Sequence, residues 1–573
     1  MDLIDGRGKV SAGNSSDTSR LSISLAAAAV LVLGTSLRLA LVVHDVESPL
    51  IDENEIVEQA VAFMGGDLRF HFLKYGPFTM YVLAGIYHVV AALRGMSPLD
   101  YAARVFFEGN EHYVISRLFT LGSLSVFALL AFLNFRRRVG APSALLVCSL
   151  LGVPFIERLA LGARIDMPQA AFQGVALLAL GEVVIQQRFR DWIIAGACAG
   201  LAIATKPLPG LLVAPCFVLA SWYVAGRRRD GTPRTLLSRI GRTLVGPGVW
   251  SAALACAACA MLGNPAILDF KHFVESQRAA VALHSGDVPW GQQSIQDSFL
   301  TLGFPFVVAL AVSVVLVLIR RDKRALLVLL FVAVYLGAFY GRASRNYYMI
   351  APVVASCLLI GHGLAAAREL APKLNAQRWM PWAWLPLAVA SLAWTAPHLW
   401  ARGTTLSHMT EARRWLYEHI PSGTPMFHIG WRPSGPRLVA ANEKLQGDWG
   451  DHFDYGRKQY KFFRAAFHKG YSDYVKSGKP RYPLTVYDSK PFPRGTKGLR
   501  PWVSDSLVRK AHETGERYII VAGFGRGDVR DLGYLWFDKA ILEKQFDRIA
   551  IFRVPEVAQA ADAALAPAAP NPI

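Results

Sequence analysis

The chain has 573 residues, of which 53% are hydrophobic and 18% are charged, and its formal net charge is +19. These proportions exclude an ordinary water-soluble protein, because apolar runs of about 17–23 residues recur and each could span a bilayer as a helix. The basic residues lie mainly in clusters between those runs, which favours orientation signals facing anionic lipid over a nucleic-acid surface. The composition therefore predicts a polytopic α-helical membrane protein that does not bind nucleic acid.

The first predicted span follows a polar N-terminal segment, residues 1–20. Arg7, Lys9 and Arg20 precede an apolar run at about 21–43, and that run is too long for the core of a signal peptide. Because basic residues stay preferentially on the cytoplasmic side, the pattern predicts a retained first span with the N-terminal tail inside.

The first external loop, 44–113, carries the most informative polar pattern. Asp52 and Glu53 lie near its beginning, and the apolar residues from 56 to 64 recur at helical spacing. This spacing, with glutamates between the apolar positions, predicts an amphipathic helix lying on the membrane surface. About twenty residues after Asp52, the motif Lys74-Tyr75-Gly76-Pro77 places a cation before a Gly-Pro turn.

The apolar run at 77–93 is predicted to be interfacial or re-entrant rather than membrane-spanning. Arg136-Arg137-Arg138 follow a span at about 114–134 and should face the cytoplasm, as should the N-terminus. Two segments on the same side of the membrane must be separated by an even number of spans. The spans at 21–43 and 114–134 already make two, so a third span at 77–93 would place the arginines on the wrong side.

Nine further spans are predicted from hydropathy, and the basic clusters between them fall on the expected side. They lie near 142–161, 166–186, 191–206, 208–225, 243–262, 298–319, 324–340, 348–367 and 380–397. The predicted transmembrane domain thus covers 21–400 with about eleven helices, and the C-terminus faces the outside.

The composition changes near residue 405 to a polar, aromatic-rich region. Strand patterns lie at 425–429, 517–522 and 548–554, and helix patterns lie at 411–419 and 537–546. They predict a small α/β extracytoplasmic domain at 405–557 and a disordered tail at 558–573. The segment 451–474 is rich in Tyr, Phe, His and Lys; it could contact a glycan or peptide acceptor, or pack the domain against lipid.

Two carboxylates on the predicted outer face, Asp52 and Asp166, are candidate active-site residues. Each also has a simpler role as a helix cap, since Asp52 could form a capping box with Glu55 and Asp166 stands two residues before a proline. Glu53 favours function because it adds a second charge at an interface where carboxylates are costly. Such a carboxylate could accept a proton from an acceptor hydroxyl.

The same two carboxylates could also form a metal site. Asp52 and Asp166 could together bind a divalent cation, Mg²⁺ or Mn²⁺, through oxygen ligands. The sequence does not establish that they meet, and it indicates no other cofactor.

Four basic residues are predicted on the outer face, although lysine and arginine usually stay on the cytoplasmic side. Their unusual location makes them candidates for a function. They are Lys74, Lys206, Arg342 and Arg345. Each could extend to lipid head groups. Several around one cavity would instead suit a phosphate or pyrophosphate, to which arginine offers bidentate contacts. Lys74 and Arg345, with Arg342 close by, are therefore candidate donor-phosphate ligands.

In order and sidedness, these motifs resemble the C-fold membrane glycosyltransferases, which include protein O-mannosyltransferases (family 39) and the lipid A aminoarabinose transferase. The matching stretches within about 20–400 are Asp52-Glu53, Lys74-Tyr75-Gly76-Pro77, Ala163-Arg164-Ile165-Asp166-Met167-Pro168, Leu201-Ala202-Ile203-Ala204-Thr205-Lys206 and Arg345-Asn346-Tyr347-Tyr348-Met349-Ile350-Ala351-Pro352. One departure is Gly76, which stands where relatives often carry the first proline of a Pro-Pro turn.

The resemblance implies an inverting transferase that moves a sugar from a polyprenyl-phosphate donor to a hydroxyl of a lipid, glycan or protein. By position, Asp52 would be the general base, Glu53 an auxiliary acid or orienting residue, and Asp166 a supporting residue. Lys74 and Arg345 would bind the leaving phosphate, whose charge needs neutralisation more than protonation. The resemblance also implies the inner membrane of a bacterium, with the C-terminal domain in the periplasm.

Three other functions compete with this one. A transporter or flippase of a lipid-linked sugar would place charges at mid-membrane, often in two related halves, whereas the sequence has no internal repeat and its suggestive charges gather at one face. An oligosaccharide ligase using a lipid-diphosphate donor stays open because of the additional outer arginines. A receptor without catalysis would leave Asp52, Lys74 and Asp166 unexplained.

Overall fold

The computed structural model describes most of the helical region and parts of the C-terminal region. The described residues are 39, 41–42, 51–68, 75–107, 110–150, 162, 164–226, 235–271, 273–275, 277–278, 302–340, 346–370, 389–390, 393–394, 396–397, 400, 408–430, 438–441, 460–487, 515, 517–522, 541–546 and 549–554.

The chain divides into two compact units. The first, here called the helical unit, comprises Met1–Val42, Leu73–Thr79 and Arg117–Ala401. The second, here called the mixed unit, comprises Val43–Phe72, Met80–Ser116 and Arg402–Ile573. Most of the first external loop therefore clusters with the C-terminal residues, whereas the predicted boundaries grouped it with the transmembrane domain.

Helices dominate the described chain up to residue 370. They are α1 Ile51–Phe63, α2 Phe78–Leu93, α3 Pro98–Ala103, α4 Asn110–Val139, α5 Ala141–Leu150, α6 Asp166–Gln186, α7 Phe189–Thr205, α8 Pro207–Leu211, α9 Ala214–Ala225, α10 Leu236–Val245, α11 Pro247–Gly263, α12 Phe304–Arg320, α13 Lys323–Tyr340 and α14 Ile350–Leu370. Short 3₁₀ turns lie at Arg104–Phe106, Pro265–Leu268 and Asn346–Met349.

Five described helical stretches are long and apolar enough to cross a membrane. They are Glu111–Val139, Asp166–Gln186, Pro207–Ala225, Leu236–Gly263 and Ile350–Leu370. The prediction of a mostly helical, multi-pass membrane protein is thereby confirmed. The count of eleven spans stays a prediction, because 21–43 and 380–397 lie largely outside the described residues.

Two helices depart from the predicted spans for local reasons. The helix α4 continues past the predicted end at 134 through Arg136-Arg137-Arg138, because arginine is a good helix former and can extend a helix beyond its apolar part. The predicted span at 208–225 is interrupted between α8 and α9. Pro209 and Pro215 lack the backbone N–H that a continuous helix needs, which accounts for the interruption.

The core of the helical unit forms around α6 and α14. Sixteen residues of α14 are buried, as expected for a helix that is apolar on all sides. The helices α7 and α11 approach closely through glycine, since a Cβ atom on Gly196 would lie 2.1 Å from the carbonyl oxygen of Ala252. Small residues permit such close backbone contact between membrane helices.

The helix α2 is followed by a sharp bend. The segments Phe78–Leu93 and Pro98–Phe106 meet at 113°. Gly95 adopts the left-handed conformation at φ 65°, and the Ser97 hydroxyl caps α3 by accepting a hydrogen bond from the Asp100 amide at 3.1 Å. A reversal of this kind fits the interfacial or re-entrant segment predicted at 77–93, whose depth in the membrane stays a prediction.

The C-terminal part of the mixed unit is an α/β fold. Its described elements are α15 His408–His419, β1 Met426–Gly430, α16 Lys461–Lys476, β2 Leu484–Tyr487, β3 Tyr518–Ala522, β4 Ile541–Phe546 and β5 Ile549–Arg553. The strand order is β2-β1-β3-β5-β4. The strand β1 pairs parallel with β2 and β3, whereas β5 pairs antiparallel with β3 and β4.

Three of these strands, β1, β3 and β5, lie within one residue of their predicted starts. The predicted helix at 537–546 is wrong over its described part, because Ile541–Phe546 forms the edge strand β4. The sequence Ile-Leu-Glu-Lys-Gln-Phe is too short for its hydrophobic periodicity to distinguish a helix from a strand, and pairing with β5 determines its conformation. The tail at 558–573 lies outside the described residues.

Candidate functional site

The structure places the predicted site residues on two units and leaves three of them undescribed. Asp52 and Glu53 lie in the first turn of α1, in the mixed unit, and Asp166 is the first residue of α6, in the helical unit. Lys74, Arg342 and Arg345 lie outside the described residues. The roles assigned to all six therefore stay predictions.

Asp166 forms a buried ion pair with Lys206, which the sequence analysis named as an outer cation but not as a partner of Asp166. The Lys206 ammonium lies 2.5 Å from Oδ1 of Asp166, and the two side chains are only 3% and 7% exposed. Each charge compensates the other in a place where an isolated charge would be expensive. The carboxylate of Asp166 is thus committed to holding Lys206.

A break in the helix path brings Lys206 to this position. The helix α7 ends at Thr205, α8 begins at Pro207, and Lys206 between them is extended at φ −151° and ψ 96°. A residue before proline is disfavoured in the helical region because the proline ring crowds its backbone. The Thr-Lys-Pro sequence thereby turns the lysine out of the helix and toward Asp166.

Two tyrosine rings surround the same ammonium group. Lys206 Nζ lies 3.7 Å from the ring centroid of Tyr348 and 5.7 Å from that of Tyr75. The negative face of an aromatic ring attracts a cation, most strongly where water is excluded. Lys206 is therefore held by one carboxylate and two rings from three different parts of the helical unit.

Gly76, the departure from the family motif, has a structural reason. Its amide donates a 3.0 Å hydrogen bond to the carbonyl oxygen of Thr205. A Cβ atom at this position would lie 1.7 Å from the carbonyl oxygen of Ala204. Proline has no N–H to donate, and any side chain would collide with the end of α7. The glycine thus docks the Tyr75-Gly76 turn directly onto the backbone beside Lys206.

A polar stripe continues from Asp166 along α6. Gln169 donates to Oε1 of Gln173 at 2.5 Å, and Gln173 donates to the carbonyl oxygen of Pro209 at 2.7 Å. Positions 166, 169 and 173 share one helix face, so the stripe ties α6 to α8.

The acidic helix α1 differs from its prediction. The helix and its end before Gly65-Gly66 are confirmed. Its glutamates, however, are buried together with its apolar residues: Glu53 is 0% exposed, Glu55 7% and Glu58 2%. The described side chains of the helix are therefore almost all buried rather than divided into a polar and an apolar face, whereas its position at the membrane surface stays a prediction. Buried carboxylates need hydrogen bonds or opposite charges, and all three of these make further interactions.

The described residues do not fit a metal site at Asp166. One of its oxygens is occupied by the Lys206 ammonium, which would repel a divalent cation. No group of three potential His, Cys, Asp or Glu ligands occurs within the part of the chain that the structure describes. Joint binding of a cation by Asp52 and Asp166 stays a prediction.

Several residues of this cluster were missed by sequence reasoning. Lys206 was recognised as an outer cation, but its pairing with Asp166 was not foreseen. Tyr348 was named only as part of a family motif, and Gln169 and Gln173 were not considered. One signal was available: Asp166, Gln169 and Gln173 form a polar face at helical spacing inside an otherwise apolar helix, and such a face in a membrane span indicates a partner or a function.

Comparison with known proteins gives a matching family model and several similar solved structures. Residues 104–239 match the family model described as dolichyl-phosphate-mannose-protein mannosyltransferase. No curated protein sequence matches. Among solved structures, the chain is similar to apo ArnT from Cupriavidus metallidurans, with 15% identity, a TM-score of 0.47, and coverage of 92% of this chain and 98% of that one.

Two further solved structures are similar at lower scores. The Archaeoglobus fulgidus oligosaccharyltransferase in complex with Zn and sulfate shares 14% identity over 86% of this chain and 67% of that chain, with a TM-score of 0.40. The arabinofuranosyltransferase AftD from Mycobacteria shares 14% identity over 94% of this chain and 42% of that chain, with a TM-score of 0.38.

The family match confirms the predicted resemblance to the membrane glycosyltransferases over residues 104–239. The matched range contains both Asp166 and Lys206, and it ends before Arg342 and begins after Lys74. The buried ion pair thus lies in the part of the chain that the mannosyltransferase family model matches.

Proposed function

We propose that the protein is a membrane glycosyltransferase that moves a sugar from a polyprenyl-phosphate donor to an acceptor hydroxyl on the extracytoplasmic side. The acceptor is a lipid, a glycan or a protein, and the site is the inner membrane of a bacterium with the C-terminal domain in the periplasm. The proposal is carried by the buried Asp166–Lys206 cluster lying within a stretch that matches a mannosyltransferase family model.

In the proposed reaction, the acceptor oxygen forms a bond to the anomeric carbon of the donor sugar. The bond from that carbon to the phosphate oxygen breaks, and the polyprenyl phosphate departs with the bonding electrons. The acceptor proton passes to a carboxylate, and attack opposite to the leaving group inverts the anomeric configuration. Asp52 is the proposed general base, and Glu53 is proposed to orient it.

The leaving phosphate gains negative charge as the bond breaks. Fixed cations around it stabilise that charge most where water is excluded. Lys74 and Arg345 are the proposed phosphate ligands, with Arg342 beside them. A phosphate monoester that leaves with its charge neutralised requires no proton from a general acid.

In this proposal the Asp166–Lys206 pair positions the site rather than reacting. Lys206 is shielded from solvent by Tyr75 and Tyr348 and is neutralised by Asp166, so it is poorly suited to bind a free phosphate. The turn held against it begins at Tyr75, directly after Lys74. Fixing that turn would fix the backbone from which Lys74 reaches the donor.

No step of the proposed reaction passes through a metal ion, because the ion pair at Asp166 does not suit one. The remaining partners are the surrounding membrane lipids and the lipid-borne donor, whose isoprenoid chain would lie among them.

The proposal is tested by comparing envelope glycolipids and glycoproteins by mass spectrometry in four strains: deletion, wild type, Asp52→Asn and Glu418→Gln. Glu418 is an exposed carboxylate on α15 and serves as the matched control. We expect one glycan to be lost in the deletion and in Asp52→Asn, with the mutant protein still present, and to be retained in Glu418→Gln.

The missing mass would name the sugar. If Asp52→Asn matched wild type while the deletion lost the glycan, the aspartate would serve only as a helix cap, and transport of a lipid-linked sugar would replace transfer. If the lost glycan were restored only by a lipid-diphosphate donor, the ligase alternative would replace the monophosphate transferase.

A further inference from the structure

A cleft in the mixed unit is lined by residues that have no assigned role in transfer. It has a volume of about 300 Å³ and opens between α3 with its following 3₁₀ turn on one side and α16 on the other. Its polar and aromatic lining residues are Asp100, Arg104, Phe107, Lys469, Asp473 and Tyr474. This volume is at the lower end of the range of about 300–1,000 Å³ that small-molecule sites occupy.

The walls of the cleft are held by direct packing of α3 against α16. A Cβ atom on Gly470 would lie 2.3 Å from the carbonyl oxygen of Ala103, so only glycine allows the helices to approach this closely. The Phe107 ring lies 5.3 Å from the ring centroid of Tyr474. The Tyr474 hydroxyl donates to the carbonyl oxygen of Pro480 at 3.0 Å, which fixes the ring behind Phe107.

Charges of both signs alternate along the opening. Lys469 Nζ lies 3.0 Å from Asp100 and 3.5 Å from Asp473. The hydrogen bond to Asp100 raises the pKa of Lys469, so its ammonium stays charged at neutral pH. With Arg104, the lining holds two cations and two carboxylates. An anionic or cationic ligand would therefore be repelled about as much as it is attracted.

The polar groups are accessible to a ligand. The side chains of Asp100 and Asp473 are 43% and 53% exposed, and Lys469 is 37% exposed. Carboxylate oxygens accept hydrogen bonds, and ammonium and guanidinium groups donate them. A ligand that fits must be uncharged, small, able to donate and accept at neighbouring positions, and apolar on the side that meets Phe107.

We propose that this cleft binds a neutral saccharide of one or two rings. Adjacent sugar hydroxyls both donate and accept, which matches the alternation of Asp100, Lys469 and Asp473, and the C–H face of a pyranose packs against the half-buried Phe107 ring. The identification of the ligand as a saccharide rests on the proposed function. The shape and the lining of the cleft are independent of that proposal. Its source is the saccharide part of the acceptor or a free glycan.

The test measures binding to the full-length protein in lipid nanodiscs by saturation-transfer NMR. The probes are the neutral methyl glycosides of mannose, galactose and glucose with their disaccharides, and the charged probes are glucuronic acid and glucosamine. We expect neutral probes to bind more tightly than charged ones. Asp473→Asn and Phe107→Leu should each weaken binding roughly tenfold, the effect of losing about 1.4 kcal/mol, while Glu418→Gln should bind as wild type.

Asp473 is half exposed and its asparagine variant keeps the side-chain shape, so loss of binding there does not reflect unfolding. The proposal is overturned if no neutral saccharide binds wild type, if charged sugars bind as tightly as neutral ones, or if both cleft variants bind as wild type.

Two further measurements distinguish an acceptor saccharide from a free glycan, and saccharide binding from the proposed transfer. If Asp473→Asn raises KM for the acceptor at unchanged kcat, the bound saccharide belongs to the acceptor; if binding is lost while transfer kinetics are unchanged, the cleft holds a free glycan. Asp52→Asn should retain saccharide binding. Binding in a protein that transfers nothing even as wild type would uphold the cleft and refute the proposed function alone.

Discussion

Removing one partner of the Asp166–Lys206 pair should destabilise the protein far more than removing both. In Asp166→Asn, the Lys206 ammonium is left in a site where its side chain is 3% exposed. Breaking a buried ion pair in this way costs about 3–5 kcal/mol, because an uncompensated charge remains. Replacing both residues with apolar ones of similar size, as in Asp166→Leu with Lys206→Met, is often neutral or stabilising.

The assay is equilibrium unfolding of purified protein in mixed micelles, arranged as a double-mutant cycle. We expect a coupling energy of about 3 kcal/mol between the two positions, since contacting residues depart from additivity while distant ones do not. The matched control is the exposed pair Arg94–Glu111, whose atoms are 3.0 Å apart with side chains 61% and 34% exposed. Glu111→Gln should cost less than about 1 kcal/mol.

Transfer activity adds a second readout to the same cycle. The double variant should fold, but it should transfer poorly because Tyr75 no longer packs on a cation. A buried, mutually dependent pair is ruled out if Asp166→Asn costs no more stability than Glu111→Gln, or if the double variant costs the sum of the two single ones.

Three other predictions follow from particular contacts. Gly76→Ala should lower the amount of folded protein strongly, because its Cβ would lie 1.7 Å from the Ala204 oxygen; normal yield by size-exclusion chromatography would contradict this. Burial raises the pKa of Asp322, but the hydrogen bond with His362 and the Arg138 charge outweigh it and hold the pKa well below its usual range. Its stabilising effect should therefore be present above about pH 4, the pKa of an unfolded aspartate, and vanish as pH falls through the folded value. Melting curves of wild type and Asp322→Asn should thus converge in acid, and a constant difference would be contrary. Treatment with EDTA should leave transfer intact, because Lys206 occupies the Asp166 carboxylate; loss restored by Mg²⁺ would overturn that expectation.

The local features of the fold were largely readable from sequence. The predicted span at 166–186 coincides with α6, because a long apolar run between polar ends has one favourable conformation in lipid. Strands β1, β3 and β5 followed from short β-branched or aromatic runs beside turn residues. The strand β4 did not, since its six residues suit either conformation and the partner strand decides.

Features that depend on distant residues could not be predicted in the same way. Asp166 and Lys206 are 40 positions apart, and neither motif specifies the other as its partner. The spacing of residues in α1 predicted an amphipathic helix, whereas tertiary packing buries its glutamates together with its apolar residues. The helix α16 escaped notice because its apolar positions are aromatic and interspersed with lysines. The sequence thus indicated which residues could carry chemistry, but it did not indicate which distant residues they contact.

Cleavage of a polyprenyl-phosphate sugar by an inverting transfer can be followed on purified protein in liposomes. Donor carrying the sugar identified from the envelope and the matching acceptor are added, and NMR follows the released polyprenyl phosphate and the anomeric proton of the product. We expect one polyprenyl phosphate to be released per sugar transferred, with inverted configuration, and both signals to be lost in Asp52→Asn. Passage of the intact donor across the bilayer, without release of polyprenyl phosphate, would contradict this expectation.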